Sequence, residues 1–214
     1  MTDILTRDID GVIAVAADPP EAAATPAGGN PGLLGLPLTI AGAVGLGFTN
    51  TGIVSAGAAA VPILLSATAI GLLLTTIWAA ALGQNVNATV YGVFFGFYGS
   101  FAALSLGQTH NWFGIPPEAA TQTTALWLGS WLLVIGLLTV LTLRLPWTYP
   151  VLFAVVDVAL VLLLIGTLSG SAPATHAGGW AVFVFVAFVI YFYVASLWEE
   201  TGGRPLPLGR PLVG

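Results

Sequence analysis

The chain has 214 residues, of which 57% are hydrophobic and only 6% are charged, and its formal net charge is −5. Globular proteins carry about a quarter charged residues, so this composition is that of an integral membrane protein. The acidic balance excludes a nucleic-acid-binding protein. The absence of cysteine excludes disulfides, thiolate metal sites and cysteine nucleophiles.

Residues 1–29 are acidic and then rich in alanine, proline and glycine. Such a segment buries little apolar surface, so we interpret it as a cytoplasmic extension, in which a short helix near Ile4–Val15 fits the sequence. No basic segment precedes an apolar one, which argues against a cleaved signal peptide. Residues 201–214 are interpreted as a short cytoplasmic tail.

Six apolar segments follow the extension, each close to the ~20 residues that a helix needs to cross a bilayer. They cover residues 31–50, 56–82, 87–106, 119–143, 148–169 and 175–198. Turn-forming residues separate them. The sequence therefore predicts an all-α integral membrane protein with six transmembrane helices in one domain, residues 30–200.

Six spans place both termini on one side of the membrane. All four basic residues then fall on that side, namely Arg7, Arg144, Arg204 and Arg210. The positive-inside rule predicts that this side is the cytoplasm, and we expect the plasma membrane. Trp127 and Trp131 lie one helical turn apart in the fourth span, a spacing that suits packing against a neighbouring subunit.

The string NPGLLGL, Asn30 to Leu36, opens the first span. Asparagine is a favoured N-cap and proline a favoured first helical residue, so Asn30 and Pro31 predict a helix start. Pro37 cannot donate a hydrogen bond to the carbonyl of Leu33, which leaves that carbonyl free. In a membrane such a group is buried in protein or lines a wet cavity. The motif indicates either a bent helix start beside a path or an ordinary capped and kinked helix.

Catalytic motifs are missing from the sequence. No Asp, Glu, Lys or Arg lies between Ala22 and Pro117, and no metalloprotease, phosphate-binding or dinucleotide motif is present. We therefore expect no enzyme, no cofactor and no metal site. What remains is a path for a small solute that needs no fixed counter-charge.

Asp157 is the exception, because it lies near the middle of the fifth span. A carboxylate at that depth is costly, and the spans hold no basic partner for it. Burial favours the uncharged form of a carboxyl group. Two interpretations stay open: an interhelical hydrogen bond to a threonine or tyrosine, and a proton site on a transport path.

Three further strings follow NPGLLGL in order: YGSF at residues 98–101, HAGGW at 176–180, and Gly203-Arg204 with LPLG at 206–209. On the six-span frame, these four strings resemble the succinate–acetate permease (acetate uptake transporter) family over roughly residues 30–210. Gly32 and Leu33 replace the Ala-Pro of that family's first motif, and the second proline comes at Pro37 instead.

The resemblance implies a homohexamer in lipid, with a path in each protomer for acetate and related small carboxylates such as succinate. Transport would be proton-linked or channel-like. It also implies that Tyr98 contributes to a hydrophobic constriction opposite Thr39 and Val156, where the family has an aromatic residue and a leucine. Thr75 and Thr76 replace the family's Ala-Gln, and their hydroxyls suit a carboxylate. The remaining residues assigned to the path and its opening motif are Asn30, Pro31, Leu34, Gly35, Leu36 and Ser100.

His176 falls at the external mouth of the sixth span, where it would attract anions when protonated or simply start the helix. Two rival functions stay open. One is a channel for small neutral solutes such as urea or amides, which an uncharged path equally suits. The other is a membrane sensor or scaffold that transports nothing and uses the acidic extension to bind a partner.

Overall fold

The computed structural model describes residues 28–213. In this range six helices are long and apolar enough to cross a membrane. They are α1 (Gly32–Asn50), α2 (Val61–Ala81), α3 (Asn85–His110), α4 (Ala120–Leu141), α5 (Thr148–Ser169) and α6 (Ala172–Glu200). The predicted six-helix membrane fold is confirmed. The helix suggested near Ile4–Val15 lies outside the described residues.

The second span starts later than predicted, at Val61 instead of residue 56. Residues 56–60 are four alanines and a glycine, which count as apolar but offer little side chain to bury. Pro62 lies in the first turn of α2, a position that suits proline because its missing N–H is not needed there. Hydropathy alone could not separate this connecting loop from the helix that follows it.

The first motif starts α1 nearly as predicted. The helix begins at Gly32, one residue later than expected. Asn30 Oδ1 accepts a hydrogen bond from Gly32 N at 3.1 Å, and Asn30 O accepts one from Leu33 N, also at 3.1 Å. Asn30 therefore caps the first turn, while Pro31 is buried and Pro37 lies inside the helix.

Glycines allow close packing around α1. A Cβ atom at Gly42 would lie 2.5 Å from Thr68 Oγ1, which donates to the carbonyl of Leu38 at 3.0 Å. Thr68 belongs to a π-helical turn of α2, Leu64–Ala69. A Cβ atom at Gly179 would lie 2.5 Å from the backbone nitrogen of Thr51, so this glycine of the HAGGW string lets α6 touch the end of α1.

The residues after α6 fold back onto the bundle. Tyr191 Oη donates to Pro207 O at 2.7 Å, and Thr148 Oγ1 donates to Leu208 O at 2.7 Å. The backbone nitrogen of Trp147 donates to Arg210 O at 3.0 Å. We call residues 203–213 the C-terminal strap. The segment interpreted as a tail is thus bound to the ends of α5 and α6.

Candidate functional site

A polar cavity of about 150 Å³ opens at the end of the bundle where α1 begins. Helices α1, α3, α5 and α6 line it together with the strap, which contributes Leu206 and Leu208. We call it the vestibule. Its polar side chains are Asn30, Asn87, Tyr91, Tyr149, Ser196 and Glu199.

A second cavity of about 60 Å³, the middle cavity, continues from the vestibule. The two share part of their lining, including Leu36, Tyr91 and Tyr149. Thr39 also lines the middle cavity, and its hydroxyl donates to Gly35 O at 2.8 Å. Because that hydrogen is already bonded, Thr39 offers a passing solute mainly an acceptor oxygen.

A third cavity of about 40 Å³, the far cavity, lies towards the opposite end of α1 and is lined by Leu46, Asn50, Tyr98 and Val156 among others. A buried water needs roughly 10–15 Å³ of such volume, so this cavity has room for a small solute only. The three cavities follow α1 from Asn30 to Asn50.

Aromatic rings separate the middle cavity from the far cavity. Phe94 and Phe185 line both, and their ring centroids are 5.7 Å apart. Phe153 stacks on Phe94 at 6.2 Å. We call these three residues the aromatic barrier. All three are buried and come from α3, α5 and α6, so the barrier is built into the centre of the bundle.

The predicted constriction residues lie on either side of this barrier. Thr39 lines the middle cavity, whereas Tyr98 and Val156 line the far cavity. Their role in selecting solutes stays a prediction. The barrier itself was missed, although Tyr91, Phe94 and Tyr98 are spaced three and four residues apart and so share one helix face.

Ser100 was predicted on the path, but it lines none of the three cavities. Its Oγ accepts hydrogen bonds from Trp127 Nε1 at 2.8 Å and Trp131 Nε1 at 3.1 Å. The two indoles, expected against a neighbouring subunit, thus bind a partner within their own chain. Ser100 joins α3 to α4.

Thr75 and Thr76 also lie off the three cavities. Their hydroxyls donate to carbonyls of their own helix, Thr75 to Gly71 at 2.8 Å and Thr76 to Leu72 at 2.7 Å. Leu34 is half-buried and lines none of the cavities either. Gly35 affects the vestibule through Tyr91: a Cβ atom at Gly35 would lie 2.5 Å from the ring of Tyr91, so glycine lets that ring pack against α1 beside the vestibule.

Asp157 faces α4 and lines none of the three cavities. Its Oδ2 accepts a hydrogen bond from Thr139 Oγ1 at 2.6 Å, while Oδ1 is buried without a hydrogen-bond partner. This geometry supports the interhelical hydrogen bond, and a proton site on the path stays a prediction. His176 is exposed near the start of α6, where a Cβ atom at Gly52 would lie 2.8 Å from its Nε2.

Two comparisons with known proteins gave matches. A sequence model of the GPR1/FUN34/yaaH family matches residues 16–203. The chain belongs to this family. The solved structure of a bacterial acetate channel, SatP, superimposes with a TM-score of 0.75 at 22% identity and covers 85% of this chain and 99% of that one. At that identity the likeness establishes the shared fold. No curated protein sequence gives a significant match.

Proposed function

We propose that this protein carries acetate and related small carboxylates, succinate among them, across the membrane. The solute would pass through the vestibule, the middle cavity and the far cavity in turn. The observation that carries the proposal is the succession of these cavities through one six-helix bundle, interrupted at the aromatic barrier. Membership of the GPR1/FUN34/yaaH family and the fold shared with a bacterial acetate channel support the choice of solute.

We further propose a homohexamer in the plasma membrane, with one path per protomer and both termini in the cytoplasm. The ends of α4 and α6 lie on the same side as the vestibule, and they are followed by Arg144, Arg204 and Arg210. The positive-inside rule would therefore make the vestibule face the cytoplasm. Large exposed apolar side chains along α2 and α4 suit contact with lipid or with a second copy.

A channel for small neutral solutes such as urea is the second candidate. It is favoured by the lining of the middle and far cavities, where the described residues include no charged side chain. Purified protein in proteoliposomes distinguishes the candidates, with protein-free vesicles as the control for leakage through lipid. Protein-dependent entry of labelled acetate supports the first, and entry of urea without acetate supports the second. Entry of neither would indicate a sensor or scaffold.

A further inference from the structure

Among the described residues that line the vestibule, Glu199 is the charged one. It lies in the last turn of α6 and is exposed. The other polar groups lining this cavity, two amides, two phenols and the hydroxyl of Ser196, are neutral. Among the described arginines, Arg144, Arg204 and Arg210, none lines it. In the part of the lining that the structure describes, one negative charge therefore lies at this mouth of the path without a positive side chain beside it.

The rest of the vestibule would suit an anion. Helices α1, α3 and α5 all begin at this end, and helix N-termini carry partial positive charge. Asn30, Asn87, Tyr91 and Tyr149 add side chains that can donate hydrogen bonds. These donors serve a carboxylate and an uncharged carboxylic acid alike. Glu199 is the group that separates the two, because its charge repels only the anion.

The cavities beyond the vestibule favour the same form of the solute. Their described lining is uncharged, and the aromatic barrier exposes ring surfaces. Moving a bare carboxylate into such surroundings is far costlier than moving the uncharged acid, whose hydroxyl and carbonyl need only hydrogen bonds. The vestibule and the interior cavities thus both favour the uncharged acid over the carboxylate.

We propose that Glu199 reduces entry of the carboxylate anion at this mouth. It thereby reinforces the preference of the uncharged interior for the undissociated acid, in which each carboxyl group crosses the membrane together with its proton. The inference rests on the proposed function and chooses its proton-linked form. Glu199 is a specificity-determining residue in this view. A monocarboxylate would carry one proton and a dicarboxylate two.

The size of the effect follows from electrostatics. In water, one charge about 6 Å from a solute anion lowers the local anion concentration about threefold. Neutralisation by Glu199→Gln should therefore raise anion entry about threefold, and charge reversal by Glu199→Lys about tenfold. The neighbouring variant Glu200→Gln is the matched control, because Glu200 is exposed on the same turn but does not line the vestibule.

The test uses purified full-length protein in proteoliposomes, with potassium and valinomycin setting the membrane potential. Anion entry follows the potential, and entry of the uncharged acid does not. After subtraction of uptake by protein-free vesicles, we expect labelled acetate uptake by the wild type and by Glu200→Gln to vary little with potential. The potential-dependent part should grow in the order wild type, Glu199→Gln, Glu199→Lys. High salt, where the screening length falls to about 3 Å at 1 M, should reduce these differences.

Two results would overturn the inference while leaving the proposed function intact. One is acetate uptake by the wild type that follows the membrane potential over the whole range tested. The other is a potential-dependent part of acetate uptake that is the same in Glu199→Gln and Glu200→Gln. Uptake at about pH 5, where the uncharged form of a carboxylic acid is abundant, checks that each variant is folded and should match the wild type. A wild type with no protein-dependent acetate uptake would instead refute the proposed function itself, and the inference with it.

Discussion

Removal of the Phe94 ring should open the path between the middle cavity and the far cavity. The ring separates the middle cavity, of about 60 Å³, from the far cavity, of about 40 Å³. Its centroid lies 5.7 Å from that of Phe185, 6.2 Å from that of Phe153 and 6.1 Å from that of Tyr98. Phe94→Ala would join the two cavities and remove all three stacking contacts.

The variant has a cost in stability and a gain in flux. Truncation of a buried phenylalanine to alanine typically destabilises a protein by about 3–5 kcal/mol, so we expect a lower melting temperature. If the lost ring lowers the barrier to passage by ~1.4 kcal/mol, transport rises about tenfold. Succinate transport should gain more than acetate transport, since the larger solute is the more restricted at a narrow point.

Uptake of labelled acetate and succinate into proteoliposomes measures both rates and their ratio. Phe101→Ala is the matched control, because Phe101 lies on the same helix, packs against Trp127 at 5.2 Å between ring centroids and lines none of the three cavities. The reasoning fails if the succinate-to-acetate ratio of Phe94→Ala equals that of Phe101→Ala, since the barrier would then lie elsewhere.

Three other substitutions test the sequence-derived residues. Asp157→Asn should leave acetate accumulation against a gradient unchanged, because Asp157 faces Thr139 and not the cavities. If accumulation is lost while passive exchange is retained, Asp157 is a proton site instead. Asn30→Ala removes a helix cap worth about 1 kcal/mol and a polar group of the vestibule, so most acetate uptake should be lost. The amount of the protein in the membrane, measured by immunoblot, should stay normal. Thr39→Phe should fill the middle cavity and slow succinate more than acetate in the same uptake assay; equal slowing of both would count against selection by width.

The helices were predictable because the bilayer imposes a strong constraint on sequence. A segment that crosses lipid must be apolar over its whole length, and its backbone must bond within the segment. The start of α1 was predictable for a local reason, the capping chemistry of Asn30 and Pro31. The start of α2 was not, because alanine and glycine at 56–60 satisfy a hydropathy count both in a loop and in a helix.

The path was harder to predict than the helices. In a helix that is apolar all round, hydropathy does not mark the face that lines a cavity. The sequence VFFGFYGSF offers five aromatic residues within α3, and only the packing of α5 and α6 decides that Phe94 meets Phe153 and Phe185. Asp157 shows the same limit: its neighbour Val156 lines the far cavity, while Asp157 itself, one residue on, faces α4. Hydropathy could not separate the two interpretations of this residue.

The C-terminal strap has a consequence for the order in which the protein is made. The strap supplies Leu206 and Leu208 to the vestibule, yet the ribosome adds these residues only after all six spans. Until they emerge, Tyr191 and Thr148 have no strap carbonyl to bind. The vestibule is therefore incomplete until the sixth span and the strap have both left the ribosome, and the wall of this mouth is finished last.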